Sequence, residues 1–157
     1  MVRDLTKVSP IADAHNIVRK VAKSRIVVDQ LTGERVPLPS AFELRVAKGE
    51  DYLSASWLEF FSDNPDIAMK ETVKILRHCT KISPGEKCGF AVGNVAAIRE
   101  TCSRFSRKIR VVHEKGKLNP AYAAVRQIGP NDLELMDELA KGPWRTIVSN
   151  TDHPEYP

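Results

Sequence analysis

Between Gly89 and His113 the chain reads as strand, helix, strand, and that run constrains the fold more than any other. Phe90-Ala91-Val92 is a short buried apolar run. Gly93 ends it and Asn94 follows as a helix cap. Val95, Ile98, Cys102 and Phe105 recur at helical spacing, so one apolar stripe marks a helix over 94–105. Ile109 to His113 is a second β-rich run. A helix between two short strands predicts a βαβ crossover with two adjacent parallel strands. With the remaining elements this gives an α+β fold: a small mixed β-sheet with three to four covering helices, the βαβ unit included.

The other segments fill in that plan. Ser9-Pro10 offers a capping serine and a first-turn proline. Ile11, Ala14, His15, Val18, Val21 and Ala22 then predict a helix ending near Ser24. Residues 25–30 and 35–36, joined through Thr32-Gly33, form a hairpin. Phe42, Leu44 and Val46 alternate with Glu43 and Arg45, as in a strand. Ser54 caps a short helix that carries Trp57, Leu58, Phe60 and Phe61. Asn64-Pro65 opens a helix running to about His78. Gly89 and Gly93 serve tight turns. Residues 121–128 are a strand, and Asn131 with Glu134 is a capping box for a helix that Gly142-Pro143 stops. Residues 144–148 form a last edge strand. The chain of 157 residues is one domain over 1–150, with a flexible tail over 151–157.

No run approaches the ~20 apolar residues of a membrane helix. The first ten residues lack the apolar core of a secretory signal. Three cysteines, Cys79, Cys88 and Cys102, do not make a disulfide framework. The spacing from His78-Cys79 to Cys88 does not match a zinc loop. The expected compartment is the cytoplasm, with no metal, no cofactor and no membrane contact. Charge is uneven: between Asp66 and Leu118 twelve basic residues face five acidic ones, on a chain of net +4. That asymmetry admits a polyanion partner.

Four groups of residues carry candidate chemistry. In parallel units ligands sit beyond the carboxyl ends of the strands. That places Asn94 and His113 at one crevice, with Tyr122 after the next loop, and His113 as a general base. A surface histidine and a plain helix cap explain the same letters. Arg99, Ser103 and Arg107 fall in one helical row with Lys108 and Arg110 near it, a face suited to phosphates. Glu100 is placed to pair with Arg104 and mute that face, and a solvated charged surface is the plainer account. Cys88, beside Lys87, is the most exposed thiol by context. The segment 52–59 joins Ser54 and Ser56 to Trp57 and Glu59. There Trp57, Glu59 and Phe60 offer an aromatic anchor for a protein partner.

The phrases YLSASWLEFF, GFAVGNVAAIRE and RVVHEKGKLNPAYAAV, in that order, resemble a family of small uncharacterised bacterial proteins, a likeness covering about residues 40–128. The resemblance implies a bacterial or mobile-element origin beside larger effectors, a defence system included. It carries no activity over to this chain. The expected function is that of an accessory or adaptor protein binding a larger partner in a bacterial multi-gene system. Two other classes stand beside it: a small enzyme of nucleotide or phosphoester chemistry using His113, and a nucleic-acid-binding module using the basic middle third.

Overall fold

The structure, a computed structural model, describes residues 8–152. The rest of the expected tail, 153–157, lies outside them, as do the first seven residues. Among the described residues nine strands form two sheets: β1 Ser9–Pro10, β2 Asn16–Val21, β3 Ile26–Val28, β4 Arg35–Pro37, β5 Leu53–Trp57, β6 Gly89–Asn94, β7 Arg110–His113, β8 Tyr122–Arg126 and β9 Thr146–Ser149. Three α-helices accompany them: α1 Pro65–Thr80, α2 Val95–Ser103 and α3 Leu133–Lys141. The main sheet has the order β1-β7-β8-β5-β2-β6-β9, and every neighbouring pair is antiparallel. β3 and β4 form a separate hairpin. The fold is α+β.

The β6–α2–β7 crossover is present, but its strands are not neighbours. β8, β5 and β2 stand between them. Four antiparallel steps separate β6 from β7, so the two still run the same way. The expected adjacency assumed that the strands would pair with each other; pairing with distant segments fills the space instead.

Alternation along the strands sends two sets of side chains to opposite faces. Ile17, Val21, Leu53, Ala55, Ala91, Val111, Ala123 and Val125 pack under α2, α3 and the 41–44 segment. Val18 and Phe90 pack under α1 with Leu58, Val73 and Leu76. α1 begins where expected because Asn64 Oδ1 accepts from the Asp66 and Ile67 amides, with Pro65 at the first turn. Gly93 sits inside β6 opposite Ile17, not in a turn. A Cβ there would lie 2.6 Å from the indole of Trp144, so the glycine seats that fully buried ring.

Several expected elements differ. The helix predicted after Pro10 is a turn and then β2. That strand is covered on both faces, so Ile17 and Val18 are both buried and no alternation shows. Residues 41–46 form no strand. Asn131 pins them, accepting from Leu44 N at 2.8 Å and donating to Leu44 O at 3.0 Å. Asp132, one residue on, is the actual cap of α3. The segment around Trp57 is β5 followed by a short 3-10 turn over Leu58–Phe60, not a helix capped by Ser54.

Both sheet edges are closed. β1 is two residues long and contains Pro10. β9 is flanked by the β3–β4 hairpin, where Arg35 donates to Ser149 Oγ at 2.8 Å and Arg145 bonds Asp29 at 2.8 Å. Such edges resist pairing with another chain.

The C-terminal side is tied to α1 by a buried polar knot. Arg77 is 2% exposed. Its Nε and Nη2 donate to Asn150 Oδ1 and O, each at 2.8 Å. Asn150 Nδ2 in turn donates to the carbonyls of Ser83, Pro84 and Glu86.

Candidate functional site

β5, β6 and β7 all run in one direction, so their carboxyl ends meet at one pole of the sheet. There the turn after β5 brings Trp57, Glu59 and Phe60, β6 ends in Asn94, and β7 ends in His113. The turn before β2 adds His15 and Asn16.

Trp57 is its centre. Its indole N–H donates to His15 Nδ1 at 3.0 Å. Its ring lies 5.7 Å from that of His15, 5.3 Å from His113 and 5.9 Å from Phe60. Phe60 also meets His113 at 5.4 Å and Phe61 at 5.3 Å. These are ordinary aromatic spacings. Phe60 is 40% exposed, while Trp57, His15 and His113 are half-buried.

Hydrogen bonds commit most polar atoms of the pole to its own framework. Glu59 grips Asn16 with both oxygens, accepting from its amide N and Nδ2 at 2.7 Å each. It braces the β2 turn, so it is not the free rim charge its sequence context suggests. Asn94 caps α2 through Ala97 N at 3.0 Å, and its Nδ2 donates to Asp13 O and His15 O. His113 Nε2 lies 2.7 Å from Pro120 O. A carbonyl only accepts, so this nitrogen carries a proton and Nδ1 is the one left for chemistry.

Tyr122 does not join them. His113 is opposite Ala123 in the β7–β8 register, so Tyr122, one residue earlier, projects to the other face. There its hydroxyl meets that of Tyr52 at 2.9 Å. Burial, then the Tyr52 hydrogen bond, raise its pKa well above the ordinary phenol value. The expected trio is therefore split: Asn94 and His113 lie at the pole, bridged by His15 and Trp57, and Tyr122 lines a cleft.

That cleft arises from a split in the sheet. β2 pairs with β6 along all six residues, but with β5 only at Ile17–Trp57 and Val18–Ser56. A continued ladder would set Lys20 opposite Ser54; the strands diverge instead. A cavity of about 590 Å³ opens there, bounded by β2, β5, the end of α1 and the 119–122 segment. Arg19 reaches across it, with Nε on Ala41 O at 3.0 Å and Nη1 on Ser54 O at 2.8 Å. Desolvation, with Arg45 and Arg25 nearby, lowers its pKa to about 10 despite Glu50.

The expected basic row is not a free face. α2 ends at Ser103, and Ser106 has a φ of 60°, which turns the chain before Arg107. Arg107 donates to Ile128 O and Pro130 O. Arg99 pairs with Asp13 at 3.2 Å and donates to Ile109 O. Arg104 lies 4.0 Å from Glu138. Lys108 and Arg110 are exposed. Cys88, expected to be exposed, is buried, and burial pushes its thiol up to about 11. Cys102 is buried with the same result, and Cys79 is the partly exposed thiol, on the cleft wall. Among the described residues no helix is long and apolar enough to cross a membrane, and no group of three His, Cys, Asp or Glu gathers as metal ligands.

Sequence reasoning missed His15 and Asn16, read as helical, and the split beside Arg19. The signal for the second was present: two adjacent cations, Arg19 and Lys20, interrupt an otherwise apolar strand. No family model, curated protein or solved structure matches this chain.

Proposed function

We propose that the protein is an accessory subunit that docks a larger protein through the Trp57–Phe60–His113 pole. The observation that carries this reading is the ring cluster itself: Phe60 stands exposed on a rigid base of Trp57, His15 and His113, outside the large cavity. Partly buried aromatic side chains with supported neighbours are the usual anchors of protein interfaces. Charge indicates the partner's chemistry. Residues 59–66 hold no cation, and with Glu59 committed to Asn16 the free charges there are the exposed Asp63 and Asp66. The partner surface is therefore basic, with arginine or lysine beside an aliphatic or aromatic socket.

Photocrosslinking tests this. Benzoylphenylalanine at Phe60 should give one discrete adduct, and the same probe at exposed Leu133 on α3 should not. The captured protein, purified, should bind the wild type, and Phe60→Ser should weaken that complex about thirty-fold or more. Asp63→Lys with Asp66→Lys should slow association. Equal crosslinking at both positions, or a complex indifferent to Phe60→Ser, would reject the docking pole.

The enzymatic alternative rests on the Nδ1 atom of His113. It predicts that His113→Ala lowers a turnover rate by about 10²–10⁴ in a folded protein. The docking reading predicts that loss of function tracks loss of the complex.

A further inference from the structure

The cleft between β2 and β5 has no part in the docking pole, and its lining is not that of a packing defect. Four cations border it, Arg19, Lys20, Arg25 and Arg45, against one bordering carboxylate, Glu43. Two of them have carboxylate partners nearby: Arg45 forms a two-bonded pair with Glu50 at 2.7 and 3.0 Å, and Lys20 lies 3.9 Å from Glu86. Arg19 and Arg25 are met by backbone carbonyls alone in their hydrogen bonds, Arg25 through Ser40 O at 2.8 Å. A carbonyl dipole offsets a desolvated guanidinium less than a carboxylate does. The rest of the lining is mixed: Val18, Leu76 and Cys79 are apolar, and Asn119 and Tyr122 are polar residues already bonded to Ser56, Ala121 and Tyr52. A volume near 590 Å³ is that of a small-molecule site.

We propose that this cleft binds a small organic anion, a phosphate monoester or a carboxylate on a compact apolar body, with its charge against Arg19 and Arg25 and its body against Val18, Leu76 and Cys79. The split ladder gives the site its preorganisation. β2 is held along its other edge by β6 and β5 along its other edge by β8, which anchors the two walls apart.

Titration calorimetry at low salt with adenosine monophosphate, inorganic phosphate and hexanoate tests it, with adenosine as the uncharged control. Adenosine monophosphate or hexanoate should bind, and the two distinguish the phosphate from the carboxylate headgroup. Binding should weaken with salt. Arg19→Gln should weaken it about ten-fold or more. Occupancy should slow alkylation of Cys79 by iodoacetamide, while buried Cys88 and Cys102 stay unreactive in both states. Should Arg19→Gln fail to fold, Thr80→Trp at the exposed end of α1 narrows the cavity without touching its cations and should abolish binding. The proposal is overturned if neither organic anion binds at millimolar concentration, if adenosine binds as well as its monophosphate, or if binding ignores both substitutions. These readouts use no protein partner, so their failure leaves the docking pole standing.

Discussion

Arg77 is buried and Arg19 half-buried, and the two guanidinium groups are satisfied in opposite ways. Arg77 is enclosed by Asn150, whose side chain also closes three loop carbonyls. Arg19 bridges a gap in the sheet by two carbonyl contacts and borders an open cavity. A guanidinium whose partners form a closed network is a fastening. One whose surroundings are cationic and hollow is fitted to receive something. The difference separates framework from site without reference to any relative of the protein.

The contrast predicts stability effects of different size. Arg77→Met should cost about 3 kcal/mol in urea denaturation, because it strands the amide and carbonyl of Asn150. Asn150→Ala should cost a similar amount, and a double-mutant cycle should show coupling of about 1–3 kcal/mol. Arg19→Met should cost no more than about 1 kcal/mol, since water can reach the carbonyls it leaves and a desolvated charge is removed with it. Equal losses at the two sites would erase the distinction and make Arg19 a brace.

A third arginine sharpens the comparison by pH. Arg126 holds both oxygens of Glu114, and that hydrogen bonding keeps the Glu114 carboxyl below the usual carboxylate range. A carboxyl with a lowered folded pKa contributes stability above its unfolded value, near 4.5, and loses it as pH falls through the lower folded value. The pair is partly exposed, so the acid limb should amount to about 1 kcal/mol or less. Arg126→Gln should flatten that limb, read as the urea midpoint between pH 6 and pH 3.

What could be read beforehand follows the range of the signal. α1, α2 and the β3–β4 hairpin are local, and Asn64-Pro65, Asn94 and Thr32-Gly33 announce them. β2 defeats periodicity because both its faces are buried: Val18 and Val21, three residues apart, fit helical spacing as well as they fit a strand. Asn94 and His113 were placed at strand ends correctly, since that depends only on where each strand stops. Their separation depends on β8, β5 and β2 lying between, which no local pattern encodes. The exposed Cys88 and the free basic row failed for a similar reason. Burial by Asn150 and its loop, or capture by Asp13 and the Ile128 carbonyl, comes from residues distant in sequence.

The strand order also sets a timetable. Among the described strands of the main sheet, β7 and β8 are neighbours with no other strand between them along the chain, while β2 and β5 are parted by the β3–β4 hairpin. β1 waits for β7, β2 for β5 and β6, and β6 for β9, which ends at Ser149. Each wait is a long loop to be closed before any contact rewards it. Sheets of such remote pairings fold slowly. On a ribosome, β2 would emerge with its apolar residues exposed on both faces and no neighbour yet made. The native sheet is thus completed only once β9 has emerged, and the interval before that is when this chain most needs protection from its own surfaces.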